Sequence, residues 1–319
     1  MLLAGCSFHL HGVDVGGAGG GGGAPIPVAD AGGGGGNPPA DLGAYNGGVD
    51  GGPTGGAPCY SEDYFPTVSL ADLRAAYTTQ AWKADVLEVL KRRIAGGHAL
   101  IDQMQNDSQL ASFADRSSFD ALMSSLMMVC NGETSIYDFG RASPTAFTYF
   151  MTASLTLTPA IVATFPRSEL QPYITDNATQ AYDGALSGQQ GSEDLTAIAD
   201  DLTAFTNGLG CIAAVADQVT SGISARDGMA ASLYYLELYL KRARTAHAST
   251  YAALQASADW QKVVRYAWAR AAFWRKVAAP SAQLGVADAP IWAHVDDPSN
   301  SSEVGAFTGS PLSDIECHP

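Results

Sequence analysis

The sequence predicts an all-α fold, in which a bundle-like domain of several helices with an irregular C-terminal tail follows a disordered glycine-rich segment. Apolar residues recur at helical spacing over much of the chain after residue 59. Serines followed by acidic residues mark repeated helix starts, and alternating strand patterns are scarce. We therefore divide the chain into residues 1–6, a linker over 7–58 and a helical domain over 59–319.

The first helical region begins at Ser69 and carries one apolar face and one charged face before Gly96 and Gly97 end it. Its apolar positions are Trp82, Val86, Val89, Leu90 and Ile94. A second helix is expected to begin at Ser118 and to end at Gly132, because glycine is common just after a helix.

Two long helices are predicted in the second half of the chain, over 225–256 and 257–278, from their apolar spacing. The segment 147–158 is rich in threonine and aromatic residues, but Pro144 and Pro159 bracket it like the start and end of a helix. We interpret it as helix.

The last segment, residues 280–319, has the proline, serine and aspartate content of loops. We expect it to wrap the helical body as an irregular tail, anchored by Ile291 and Trp292 and held at its end by Cys317.

The cysteines indicate the compartment. One of the five, Cys6, lies near the start, and the other four are too far apart in sequence for the paired spacing of a zinc site. These four are Cys59, Cys130, Cys211 and Cys317. They predict two disulfides in an oxidising envelope, with three pairings open. The alternative is four reduced cysteines packed as small apolar residues.

Composition excludes some classes of protein. The formal net charge of −15 disfavours nucleic acid as a partner, because phosphate binding requires a basic surface. No run of eighteen apolar residues occurs, so any membrane attachment would be covalent or peripheral.

Residues Leu3, Ala4, Gly5 and Cys6 resemble the lipobox of bacterial lipoproteins. The resemblance implies that Cys6 carries lipid, including palmitate-type acyl chains, and becomes the mature N-terminus in the cell envelope. Since an export leader needs a basic and an apolar region, we expect the signal peptide to lie upstream of residue 1. Ser7 favours the outer over the inner membrane, and the glycine-rich linker would act as a tether.

One candidate site combines His98 and Asp102, which are one helical turn apart, with Glu133 and Asp138 after Cys130. An imidazole and three carboxylates could bind a metal or carry out acid–base chemistry. The alternative is a helix end next to a solvated turn, because a single histidine and scattered acids specify little.

Residues 96–100 resemble the start of the G-x-H-x-x-E motif of imelysin-like periplasmic lipoproteins, which are also helical. In this chain Ile101 occupies the glutamate position, and the acid, Asp102, comes one residue later. That offset turns the carboxylate by about 100 degrees around the helix axis, so we do not transfer the family's metal function to this chain.

A second candidate is a basic face. Eight basic residues and one acid lie between Lys241 and Lys276, and Lys262, Arg265 and Lys276 cluster opposite an apolar stripe. This face could bind anions or an acidic membrane surface. Alternatively, these side chains are solvated and pair with the acidic remainder of the domain.

The sequence carries no hydrolase motif and implies no cofactor. We therefore expect an envelope-anchored lipoprotein that binds or supports a protein or glycan partner, and we favour this role over an enzymatic one. The alternative is an envelope enzyme or metal-binding protein that uses His98, Asp102, Glu133 and Asp138.

Overall fold

The computed structural model describes residues 59–94, 96, 99–102 and 107–319. Over these residues the fold is predominantly helical, which confirms the predicted fold class. The lipobox with Cys6, the glycine-rich linker, Gly97 and His98 lie outside the described residues.

The N-terminal part of the domain is built from short helices that lead into one longer helix. These are α1 (Ala71–Ala76), α2 (Trp82–Arg93), α3 (Ala99–Asp102), α4 (Asp107–Phe113), α5 (Phe119–Ser124) and α6 (Leu126–Arg141). Ser118 caps α5 as predicted, because its Oγ accepts a hydrogen bond from the backbone N–H of Ala121.

The predicted helix end at Gly132 is wrong, because α6 continues through it to Arg141. A Cβ at Gly132 would lie 2.5 Å from the ring of Phe113. Gly132 is therefore a point of close packing between α6 and the preceding segment.

The predicted helix over 147–158 is also wrong, because this segment forms an antiparallel hairpin of β1 (Tyr149–Thr152) and β2 (Leu155–Leu157). Threonine and aromatic side chains favour strands when one face packs on a core. The backbone N–H of Phe150 donates a 2.8 Å hydrogen bond to Asp138 of α6, which fixes the hairpin on that helix. The local sequence pattern could not predict this contact, because it joins residues 12 positions apart in the chain.

The centre of the domain is built around α8, which packs against the long helices α6, α9 and α11. The helices are α7 (Gly188–Gly191), α8 (Leu195–Ala213), α9 (Ala225–Ala246), α10 (Ala248–Ala256) and α11 (Ala258–Ala278). Short 3₁₀ helices cover Arg167–Tyr173, Asp183–Leu186, Ala216–Gln218 and Ala282–Leu284. At Gly210 of α8 a Cβ would lie 3.0 Å from the indole of Trp274, so the absence of a side chain lets α8 and α11 approach closely.

The single helix predicted over 225–256 is interrupted at His247, where α9 ends and α10 begins. The imidazole of His247 stacks on the ring of Phe165, and its Nε2 lies 3.0 Å from the carboxylate of Glu169. These contacts with a distant segment draw the residue out of helical geometry. The helix predicted over 257–278 is confirmed as α11, with Ser257 as its N-cap.

The irregular tail predicted for 280–319 is wrong, because most of it is helical. It forms α12 (Asp288–Val295), α13 (Pro298–Thr308) and α14 (Leu312–Ile315). Asp297 caps α13 and Pro298 occupies its first turn, so residues typical of loops here act as helix starters. The tail does pack on the body, with Ile291 and Trp292 buried as predicted.

Both predicted disulfides are present. Cys59 bonds to Cys317, and Cys130 bonds to Cys211. The first joins the two ends of the helical domain, and the second ties α6 to α8 in its interior.

Candidate functional site

The site with the most concentrated chemistry is a cavity of about 570 Å³ between the chain segment that follows Cys59, the hairpin turn, α8 and α11. Both disulfides contribute to its wall, through Cys130, Cys211 and Cys317. Polar and apolar side chains line it together, as is typical of small-molecule sites.

The carboxylate of Glu62, in the segment that follows Cys59, is bound at the wall of this cavity. Glu62 Oε1 accepts hydrogen bonds from Arg270 Nε at 2.8 Å, Trp274 Nε1 at 3.0 Å and the Tyr60 hydroxyl at 2.9 Å. Glu62 Oε2 accepts from Arg270 Nη2 at 3.2 Å. The guanidinium and the carboxylate therefore form a bidentate ion pair, which is stronger than a single hydrogen bond between neutral groups.

Asn207 of α8 binds the guanidinium of Arg270. Its Nη1 donates to Asn207 Oδ1 at 3.0 Å, and Asn207 Nδ2 in turn donates at 3.1 Å to the Thr134 hydroxyl and to the Phe150 carbonyl. The guanidinium is thus oriented by groups that belong to α6, α8 and β1. Such support fixes the direction of its donors before any ligand is considered.

Burial and neighbouring charges together shift the pKa values of the ionisable groups of this site. Burial works to lower the pKa of Arg270, but the nearby Glu62 and Tyr60 outweigh it and raise that pKa above its usual value. Burial, with the neighbouring Glu62 charge, raises the pKa of Tyr60. Both groups therefore keep their protons over the physiological range, Arg270 as a cation and Tyr60 as a neutral donor.

The residues of the predicted cluster, His98, Asp102, Glu133 and Asp138, lie in different environments where the structure describes them. Asp102 is exposed on α3, whereas Glu133 and Asp138 are fully buried on α6, and His98 lies outside the described residues. No group of three or more metal-ligating side chains was found in the part of the chain that the structure describes.

The predicted basic face is divided among several environments. Lys262 and Lys276 are exposed, with Lys262 3.9 Å from Asp259, whereas Arg265 donates to the Thr308 carbonyl at 3.1 Å.

Most of the neighbouring basic residues form ion pairs with acids of the same domain. Arg242 pairs with Glu169, Arg244 with Glu303, Arg270 with Glu62, and Arg275 with Asp296. These pairs match the alternative interpretation, in which the acidic remainder of the domain neutralises the basic segment.

Sequence reasoning missed the Glu62, Asn207 and Arg270 network. Arg270 and Glu62 are 208 residues apart, so no local pattern connects them. One signal was available: Arg270 lies on the apolar face of α11, three residues after Ala267 and four before Trp274. A cation within an apolar stripe requires a buried partner.

None of the described helices combines the length and the hydrophobicity that a bilayer-spanning segment needs. No family model matches the chain, and no curated protein or solved structure is significantly similar to it.

Proposed function

We propose that this chain is a lipoprotein of the bacterial envelope whose helical domain is a binding module, with the 570 Å³ cavity as its ligand site. The observation that carries the proposal is the oriented cation at the cavity wall. Arg270 is 3% exposed, yet its guanidinium directs donors at a group lining the cavity, and Asn207 holds it in place. Buried, pre-oriented polar groups in a concave site are what selective binding requires.

The compartment and the anchor rest on different observations. Two disulfides are expected in an oxidising compartment, and the lipobox-like residues before Cys6 would supply the lipid anchor. A domain displayed in this way binds a partner of the envelope, such as a small polar molecule or part of a glycan.

The binding proposal is tested by filling the cavity. Ala153 lines the cavity at the hairpin turn, whereas Thr156, three residues later, is exposed and does not line it. A library of envelope metabolites and glycan fragments is screened against the wild-type protein by thermal shift. We expect at least one ligand whose binding is lost in Ala153→Trp and kept in Thr156→Trp. A screen with no ligand, or a ligand that Ala153→Trp still binds, contradicts the assignment.

The anchor is tested by intact-mass spectrometry of protein purified from native membranes, before and after reduction. We expect an acyl addition at Cys6 in the wild type, its absence in Cys6→Ser, and a gain of four hydrogens on reduction. An unacylated protein with free thiols contradicts the envelope assignment.

A further inference from the structure

The carboxylate bound by Arg270 belongs to a peripheral segment of the domain. We call residues 59–65 the strap. The strap runs without helix or strand from the Cys59–Cys317 disulfide to Phe65, and its backbone is held by bonds from Tyr60 to Glu316 and from Phe65 to Arg93. Glu62 reaches inward from the strap to the cavity wall.

The groups that bind Glu62 belong mainly to the body of the domain. Arg270 and Trp274 are on α11, and Asn207, which orients Arg270, is on α8. Among the described donors to Glu62, the Tyr60 hydroxyl is the one that belongs to the strap itself. If Glu62 left, the Arg270 guanidinium and the Trp274 N–H would remain directed at a vacated carboxylate position beside the cavity.

A buried guanidinium without a partner is strongly unfavourable, because its desolvation is then uncompensated. An external carboxylate that entered the cavity would restore the same bidentate bonds to Arg270 and the bond from Trp274. The cavity of about 570 Å³ next to these donors provides the space for the rest of such a molecule.

We propose that Arg270 and Trp274 form a binding site for a small external carboxylate, and that Glu62 is its internal occupant, held in place by the Cys59–Cys317 disulfide. This rests on the proposed role of the cavity as a ligand site. The disulfide fixes the strap at one end and keeps the Glu62 carboxylate at a high effective concentration against any external competitor.

The disulfide is also accessible, since Cys59 is exposed. A dithiol reductant opens it by thiolate attack on one sulfur, which forms a mixed disulfide. The second thiol of the reductant then displaces the protein sulfur. The products are the Cys59 and Cys317 thiols and one oxidised reductant, so two electrons and two protons are transferred to the protein. The strap then loses its cross-link to Cys317 and stays attached only through the main chain after Phe65, so Glu62 competes less effectively with an added carboxylate.

The test is chemical rescue of Glu62→Ala by acetate, with melting temperature as the readout and sodium chloride at equal ionic strength as the reference. We expect Glu62→Ala to melt below the wild type and its melting temperature to rise with acetate, since a ligand that binds only the folded state stabilises it. Asp63→Ala is the matched control: it removes an exposed carboxylate that also lines the cavity but leaves the Glu62–Arg270 ion pair intact, so it gains no response to acetate.

Two further variants locate the effect. In Glu62→Ala/Arg270→Met both partners of the ion pair are absent, so the response to acetate is lost. In Glu62→Gln the side chain still fills the position, so no response develops. If Glu62→Ala folds poorly, the readout becomes the yield of folded protein after refolding in acetate relative to chloride. An acetate response that is absent in Glu62→Ala, or equal in the double variant, overturns the carboxylate site.

The role of the disulfide is tested with Cys59→Ser/Cys317→Ser. We expect its response to acetate to lie between those of the oxidised wild type and Glu62→Ala. A response equal to that of the oxidised wild type overturns the role of the disulfide. The acetate rescue and the ligand screen can fail separately. Rescue by acetate without any ligand in the screen supports the carboxylate site and contradicts the proposed binding function. A ligand in the screen without rescue by acetate supports the binding function and overturns the carboxylate site.

Discussion

Asp138 on α6 and Asp200 on α8 are neighbouring carboxyl groups that are both buried in the interface between these helices and that influence each other's pKa. One oxygen of each carboxyl accepts a hydrogen bond from another group. Asp138 Oδ1 accepts from the Phe150 N–H at 2.8 Å, and Asp200 Oδ2 accepts from the Ser135 hydroxyl at 3.0 Å. The two remaining oxygens are both acceptors unless one carboxyl is protonated. Burial is the largest cause that raises the pKa of both groups, so the pair retains a proton.

This pair predicts that the protein loses stability as the pH rises. Both pKa values are raised in the folded state, so their contribution is fully present below the unfolded aspartate pKa of about 3.9 and is lost as the pH climbs through the folded values. In Asp138→Asn the side chain is a neutral amide at every pH, so it replaces the protonated carboxyl without titrating. We expect the fall in unfolding free energy between acid and neutral pH to shrink by about 1 to 3 kcal/mol.

The measurement for this pair is urea denaturation from pH 4 to pH 8, monitored by circular dichroism. Asp314→Asn, which changes an exposed aspartate on α14, is the control and should follow the wild-type pH dependence. Parallel curves for Asp138→Asn and the wild type would show that the pair does not hold the proton.

Glu237 on α9 is a further buried acid, and neither of its carboxyl oxygens has a hydrogen-bond partner within the described residues. Burial raises its pKa to about 10, with further increases from Asp296 and Asp297 and a decrease from Lys241. Its contribution to stability is therefore present below the unfolded value and lost as the pH rises towards the folded one.

We expect Glu237→Met to raise the unfolding free energy at pH 8 by about 2 to 4 kcal/mol, because it removes a carboxyl that must stay protonated in the fold. The gain should be smaller at pH 4, where the unfolded chain also holds the proton. Glu237→Gln separates charge from polarity: it should lose the pH dependence but remain less stable than the methionine variant. Thermal melts at the two pH values check this, and an equal gain at both would contradict it.

Gly132 and Gly140 on α6 predict opposite results for the same substitution. A Cβ at Gly132 would meet the Phe113 ring at 2.5 Å, whereas one at Gly140 would meet nothing within 4 Å. We expect Gly132→Ala to destabilise the domain by about 1 to 3 kcal/mol through overpacking. Gly140→Ala should stabilise it by about 0.5 to 1 kcal/mol, because alanine restricts the unfolded chain. Urea denaturation of both variants measures the difference, and effects of the same sign would contradict the packing described for α6.

The two disulfides should differ in their reaction with a dithiol. Cys59 is exposed, whereas Cys130 is 1% and Cys211 6% exposed, and thiol exchange requires access to a sulfur. Under native conditions we expect Cys59–Cys317 to be reduced first and Cys130–Cys211 only as the domain unfolds. Quenching with iodoacetamide at timed intervals and peptide mass spectrometry follow the order. Simultaneous reduction in the folded protein would contradict the burial of the second bond.

Several features of the fold could be predicted because their causes are local. A serine hydroxyl caps the helix that follows it, so Ser118 and Ser257 marked the starts of α5 and α11. The hairpin at Phe150 and the break at His247 could not be predicted in this way. Each depends on a distant partner: Asp138 for the hairpin, and Phe165 with Glu169 for the break.

The same division between local and distant causes holds for the fold class, the disulfides and the candidate site. The sequence by itself determined the helical class, since periodicity and capping act within a few residues, and it predicted two disulfides from the number and spacing of the cysteines. Only the tertiary structure decided which cysteines pair and that Arg270 meets Glu62 from 208 residues away. The physical reason is that a buried charge selects its partner by proximity in the packed core, and that proximity exists only once the helices have assembled.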